Sequence, residues 1–192
     1  MTKIIIGAGR RRGLTIAQTH HHAVTRHAPL CLAAPDADAF AHYHLNLISD
    51  GVYGPSSPGP FDIVAEDTFQ SGAAMMRMSG SDYFRDVVAP DEGQFGDLST
   101  RIFFFAREEK LRSPETARTV GASKALFFLI ASSDAATDQL LNDWAGLDAA
   151  LPSAVLGAVR NLPEAPPEEL RAVFSGPPAY AGVMALWVAE PD

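Results

Sequence analysis

With 192 residues the chain is long enough to bury a sizeable core, as one large domain or two small ones. Its formal net charge of -8 offers no electrostatic attraction to nucleic acid or to an anionic membrane, so neither is expected as a partner. No apolar run approaches the roughly 20 residues that span a bilayer, and a lone Cys31 excludes an internal disulfide and a cysteine metal cage.

The expected compartment is therefore a reducing cytoplasm. The opening MTKIIIGAGRRR does not read as a secretory leader, because its positive charges follow the short apolar run.

Lys3 to Gly7 is a β-branched run that predicts a first strand. The GAGRRRG that surrounds Gly9 to Gly13 must be weighed as a dinucleotide loop. That reading needs a parallel second strand ending in an acidic residue; Asp36 and Asp38 instead sit in a turn before a strand that looks antiparallel. A Gly-rich turn with a solvated basic cluster is the better account.

Thr15 to Asn46 holds every histidine of the protein. Thr15 caps an amphipathic helix that carries Ile16, Val24, Leu30 and Leu32, and Pro29 is expected to end or tighten it. After the Pro35 to Asp38 turn the period changes to two. Phe40, His42, His44, Asn46 and Ile48 then share one strand face, and Ala41, Tyr43, Leu45 and Leu47 share the other.

Ser49 to Pro60, rich in Gly, Pro and Ser, reads as a lid or rim. Phe61 to Phe69 predicts a third strand with carboxylates on both faces. Gln70 to about Pro90 is helical in composition, Asp91 to Thr100 reads as loop, and Arg101 to Ala106 as a strand buried on both faces. The order βαββαβ predicts a ferredoxin-like α+β unit over residues 1–110.

Arg107 to Ser123 is polar and reads as a link. Strands are then expected at Lys124 to Ala131, Ala154 to Asn161 and Tyr180 to Val188, with a helix at Thr137 to Leu151. The last strand stands 119 positions after Phe61 to Phe69, which suggests an internal repeat. Residues 122–192 would thus be a shortened second ferredoxin-like unit. Two such sheets could pack face to face as a barrel, within one chain or in a homodimer, and enclose a cavity lined by the polar face of Ala39 to Ser49.

His42 and His44 project about 7 Å apart on one face. Such a pair can share a proton-transfer task or, with Asn46, bind a phenol or carbonyl oxygen; the plain alternative is a solvated polar strand. With Glu66 or Asp67 on the next strand the same spacing could chelate a metal. His27, near a helix C-terminus, can serve as an acid or base, or simply fix the turn into Pro29. His20 and His21 read as solvated helix residues.

The run RRRGLT, then HAPL at His27 to Leu30, then Pro35, Phe40, the HYH triplet and FDIVAEDTFQS resembles the EthD family of dimeric α/β-barrel proteins, in register over about residues 3–110. YAGVMALWV is similar to the same family strand, so the second half reads as a degenerate copy. The resemblance implies ferredoxin-like units whose sheets pair into a barrel, and kinship with barrels that act on aromatic or polyketide-like molecules as monooxygenases, cyclases, isomerases or dehydratases, or that bind haem. It places His27 on the HAPL histidine, His22 on a frequent helix histidine and His44 on the histidine closing the second strand. Asp67 departs from it, standing where the family usually has an apolar residue.

The function expected is a cofactor-independent oxidoreductase or lyase/cyclase acting by histidine acid–base chemistry. His44, His27 and His42 would be catalytic, and Asn46, Tyr43, Glu66 and His22 would hold a small apolar or aromatic substrate. The alternatives are a non-catalytic binding module and a barrel that binds haem or a metal.

Overall fold

A computed structural model describes residues 1–49, 60–115, 117, 122–131, 133–145, 151–174 and 180–189. The expected lid at residues 50–59 lies outside them, as do positions 146–150 at the end of the predicted second-half helix. The chain divides into two compact units, Met1–Phe105 with Pro166–Gly176, and Ala106–Ala165 with Pro177–Asp192. This partition crosses the expected division into 1–110 and 122–192 twice, within one strand and where residues 166–176 return to the first unit.

In the first unit β1 (Thr2–Arg10), β2 (Phe40–Leu47), β3 (Ile63–Phe69) and the Gly96–Phe105 part of β4 (Gly96–Arg112) lie in the order β2-β3-β1-β4. This is the ferredoxin-like order, and β3 pairs antiparallel with both neighbours. Its register sets Asp67 between Ile4 on β1 and Tyr43 on β2.

The first helical stretch runs from α1 (Ile16–His22) through a π-helical turn at Ala23–His27 into α2 (Ala28–Leu32). Thr15 and Gln18 close a reciprocal capping box at its start. Pro29 does not end the helix as expected. Proline lacks an N–H and crowds the carbonyl four residues back, and the wider π turn just before it relieves both demands.

The second stretch repeats the device. After α3 (Gly72–Ser79), a π-helical turn at Phe84–Val88 precedes α4 (Ala89–Phe95), with Pro90 in its first turn. Asp91 is therefore helical, where a loop was expected. β4 begins at Gly96 instead of Arg101 and runs on through Arg112, into the stretch read as a link.

Helices cover one sheet face, on which Ile4, Phe69, Met75, Met78, Phe105 and Leu170 form the main core. The segment around the short 3-10 helix Glu168–Leu170 packs on α3, and Phe174 meets Phe103 and Phe105 edge-on at 4.9 and 5.3 Å. Gly72 makes that approach possible, since a Cβ there would stand 2.5 Å from Cβ of Pro167. Gly72→Ala is expected to cost about 1–3 kcal/mol in urea unfolding, because the proline ring cannot swing aside.

In the second unit β5 (Ser123–Leu129), β6 (Val155–Pro163) and β7 (Gly182–Val188) follow the order β6-β7-β5, with α5 (Asp134–Ala145) between β5 and β6. This reproduces β2-β3-β1 of the first unit. β7 stands 119 positions after β3 at both ends, as the internal similarity predicts. The edge beside β6 is taken by Ala106–Arg112 of β4. A polar composition had marked this segment as linker, but a strand whose charged side chains pair across the ladder, as Glu109 does with Arg160, can be polar and still be a strand. Trp144, Leu162 and Met184 form one core cluster of this unit, and Val159, Ala185 and Trp187 belong to another.

Candidate active site

Strand parity divides the first unit's sheet into two faces with different chemistry. On the helix-covered face a cavity of about 460 Å³ lies between sheet and helices. Its walls are mainly apolar, with Ile4, Ile6, Leu45, Ile63 and Phe69 from the sheet, and Leu170, Val173 and Phe174 form part of its boundary. Into this lining come His27, Cys31, Tyr43, Asp67, Glu92 and Arg101. An apolar chamber with a few converging polar groups is the usual form of a small-molecule site.

His27 is held by Asp91. The Asp91 carboxylate is buried and accepts from His22 Nε2 at 3.0 Å, Arg26 Nε at 2.9 Å and His27 Nδ1 at 3.2 Å. Burial alone would raise this carboxyl; the hydrogen bonds from His22, Arg26 and His27 bring it below its ordinary value. A carboxylate can only accept, so it selects the His27 tautomer with hydrogen on Nδ1 and leaves the Nε2 lone pair available. Burial lowers the His27 pKa by more than Asp91 raises it, which keeps the ring neutral at pH 7. Phe95 packs on both imidazoles, 5.2 Å from His22 and 4.9 Å from His27.

From Nε2 the polar groups continue inward. Cys31 Sγ lies 3.5 Å from it, and the Tyr43 phenol is Cys31's next polar neighbour in the lining. Burial pushes the Cys31 thiol up to about 12 and also raises the Tyr43 phenol, so both stay protonated at neutral pH. Asp67, beside Tyr43 across the ladder, is 6% exposed, and its Oδ1 has no hydrogen-bond partner among the described residues. Burial, with a smaller contribution from Glu66, pushes its carboxyl up to about 8. Glu92 pairs with Arg101, and burial raises it more than that guanidinium lowers it.

The other face carries Lys3, Ile5, His42, His44, Asn46, Val64 and Glu66. The expectation that His42, His44 and Asn46 line a cavity is not met in this unit. Both imidazoles are exposed, with ring centres 6.0 Å apart, while Tyr43 and Leu45 turn to the cavity. The helices cover the apolar side of β2 because that is the side that gains from burial.

Asn46 and Glu66 belong to a buried polar group on this opposite face. Asn46 Nδ2 donates to Glu66 Oε1 at 2.9 Å, and Lys3 Nζ lies 3.2 Å from Glu66 Oε2. Glu66 and Asp67 point to opposite faces, so they cannot both join His42 and His44, and among the described residues no three His, Cys, Asp or Glu side chains gather into a metal-binding group. As a haem ligand His27 would have to exchange its Nε2 contact with Cys31, since Nδ1 is held by Asp91.

Of the residues singled out by sequence, the structure brings His27 and Tyr43 to the cavity and sets His22 behind His27 on Asp91. Asp91, Cys31, Glu92 and Arg101 escaped sequence reasoning. The one signal available was a pair of Ala-Pro dipeptides, Ala28-Pro29 after His27 and Ala89-Pro90 before Asp91, marking two equivalent helix irregularities.

A ferredoxin-like α+β fold with an apolar cavity between sheet and helices defines the general class. Within it, the family model of the EthD domain matches residues 11–99 of this chain. An EthD family protein from Bacillus halodurans is similar at 15% identity and a TM-score of 0.43, over 57% of this chain and 100% of that one. A candidate monooxygenase from Lactobacillus acidophilus is similar at 8% identity and a TM-score of 0.50, over 98% of this chain and 76% of that one, a likeness of fold. No curated protein matches the sequence. No described helix is long and apolar enough to cross a membrane.

Proposed function

We propose that the chain is a small-molecule enzyme which binds an aromatic or polyketide-like substrate in the first unit's cavity and acts by proton transfer at His27, without a resident cofactor. The observation that carries this reading is His27, held from behind by Asp91, in the wall of a mainly apolar chamber. Neutral His27 accepts a proton at Nε2, and the imidazolium formed is stabilised by the carboxylate already bonded to Nδ1. Removing a proton next to a ring carbonyl, or from a phenol, is a step shared by lyase, cyclase and oxidoreductase chemistry. The monooxygenase named among the similar structures agrees with the last of these.

The acid–base role expected of His44 passes to His27, because His44 is exposed on the opposite face. Turnover would be followed by mass spectrometry on a panel of hydroxylated ring ketones. His27→Gln is expected to lower it by roughly 10²–10⁴-fold with an unchanged melt, whereas His44→Ala keeps it. The acid limb of the pH–rate profile should fall below pH 6.5, since burial depresses the His27 pKa from that value. Tight binding of every ketone without product would instead make the domain a binding module.

A further inference from the structure

Asp67 is the feature of the cavity that the proton-transfer reading does not use. It lies on the central strand β3, where Ile4 and Tyr43 flank it across the two ladders, and it lines the cavity; its Oδ1 is fully buried and has no hydrogen-bond partner among the described residues. A buried polar group left short of partners costs about 1–3 kcal/mol, and a carboxyl in a chamber wall recovers part of that cost when a ligand hydrogen-bonds to its accessible side.

The charges around Asp67 decide what that ligand can be. It shares the cavity lining with the Tyr43 phenol of β2, with Cys31 and His27 of the first helical stretch, and with Glu92 of α4, which is paired with Arg101 of β4. β1 contributes Ile4 and α3 contributes methionines, while Glu66, next in the chain, lies on the opposite face with Lys3. Among the described residues Arg101 is the one Lys or Arg of the lining, and Glu92 pairs with it. An anionic ligand would enter a poorly hydrated chamber in which the described residues offer no unpaired counter-charge, which is costly.

We infer that Asp67 is a ligand-binding group: its carboxyl, in the neutral form, donates a hydrogen bond to the carbonyl oxygen of an uncharged ring ketone or quinone, and the cavity rejects the matching carboxylates. This rests on the cavity being the binding site, and it adds which functional group is recognised and by what. With its proton leaving near pH 8, Asp67 is a donor at neutral pH and only an acceptor well above it. A ketone can only accept, so its binding should fail as the proton leaves.

The test is equilibrium dialysis of the full chain with 2-acetylnaphthalene and 2-naphthoate as probes, for the wild type, Asp67→Asn and Asp67→Leu. The ketone is expected to bind wild type equally at about pH 6 and about pH 7, and about tenfold more weakly near pH 9. Asp67→Asn keeps an N–H donor and should bind at every pH with a flat profile. Asp67→Leu should bind about tenfold more weakly at neutral pH, also without a step. Naphthoate should bind wild type more weakly than the ketone throughout.

A flat wild-type profile overturns the assignment. So does a step that survives in Asp67→Leu, naphthoate binding as tight as the ketone, or no ketone binding by a wild type that melts normally. Repeating the titration in His27→Gln separates the two readings. A step retained there, with no product formed by any variant, supports the Asp67 assignment and removes the enzyme reading; turnover with a flat profile does the reverse.

Discussion

Asp67→Asn is expected to make the protein more stable at neutral pH, on the order of 3–4 kcal/mol, or a rise in Tm of roughly 10 °C. The Asp67 carboxyl is buried, and its pKa rises from 3.8 to about 8 on folding. Between those values the unfolded chain holds an ionised Asp67, so folding must take up a proton against the solvent. Stability therefore falls as pH rises through this window, by about 1.4 kcal/mol per unit. Asparagine has nearly the same shape and no proton to recover. Its advantage should be small near pH 4, grow steadily, and level off above about pH 8. Urea unfolding of both proteins across that range checks it; a constant difference would mean that the carboxyl is ionised in the fold. A stabilising replacement so close in shape leaves the native aspartate without a structural justification, as is common where a residue serves ligand binding.

The same residue shows how much could be read in advance. The βαββαβ order, the Thr15 cap, the second strand and the repeat were all legible, because they depend on local periodicity and capping chemistry. Alternation along β2 also told correctly that His42, His44 and Asn46 share a face. It could not tell which face the helices would cover. Alternation alone makes the polar face the natural wall of a site, but the helices bury the apolar face, and the cavity lies between them and that face. Asp67 was conspicuous as a carboxylate on an otherwise apolar position, yet its meaning depended on that choice of face. Asp91 was lost for a different reason. Each π turn inserts a residue into the 3.6-residue period, so a helix resuming after Pro90 falls out of phase with the preceding one and looks like loop. Both members of the Asp91–His27 pair sit at such a turn, one closing the first and the other following the second.

Asp91→Ala is expected to be the most damaging single change in the first unit. Its carboxylate holds His22, Arg26 and His27 together, and it ties the first helical stretch to α4. Arg26 is 68% exposed and will be rehydrated at little cost, so the loss falls on the two imidazoles, of which His27 is 12% exposed. Leaving them buried without their acceptor should lower stability by about 3 kcal/mol. It should also free the His27 ring to take the other tautomer, with hydrogen on Nε2, which cannot act as a base toward the cavity. Turnover is therefore expected to drop on the order of a hundredfold or more, in kcat more than in KM. Asp91→Asn distinguishes orientation from charge. Its amide oxygen can still accept from one imidazole, so much of the stability should return while the imidazolium loses its countercharge and kcat stays low. The pH dependence of unfolding gives an independent check. Because the folded Asp91 pKa is below 3.8, its contribution is complete above that value and is lost as pH falls through the depressed one. In Asp91→Asn that part of the acid limb should disappear; an unchanged limb would show that the carboxylate does not bind His22, Arg26 and His27 in solution.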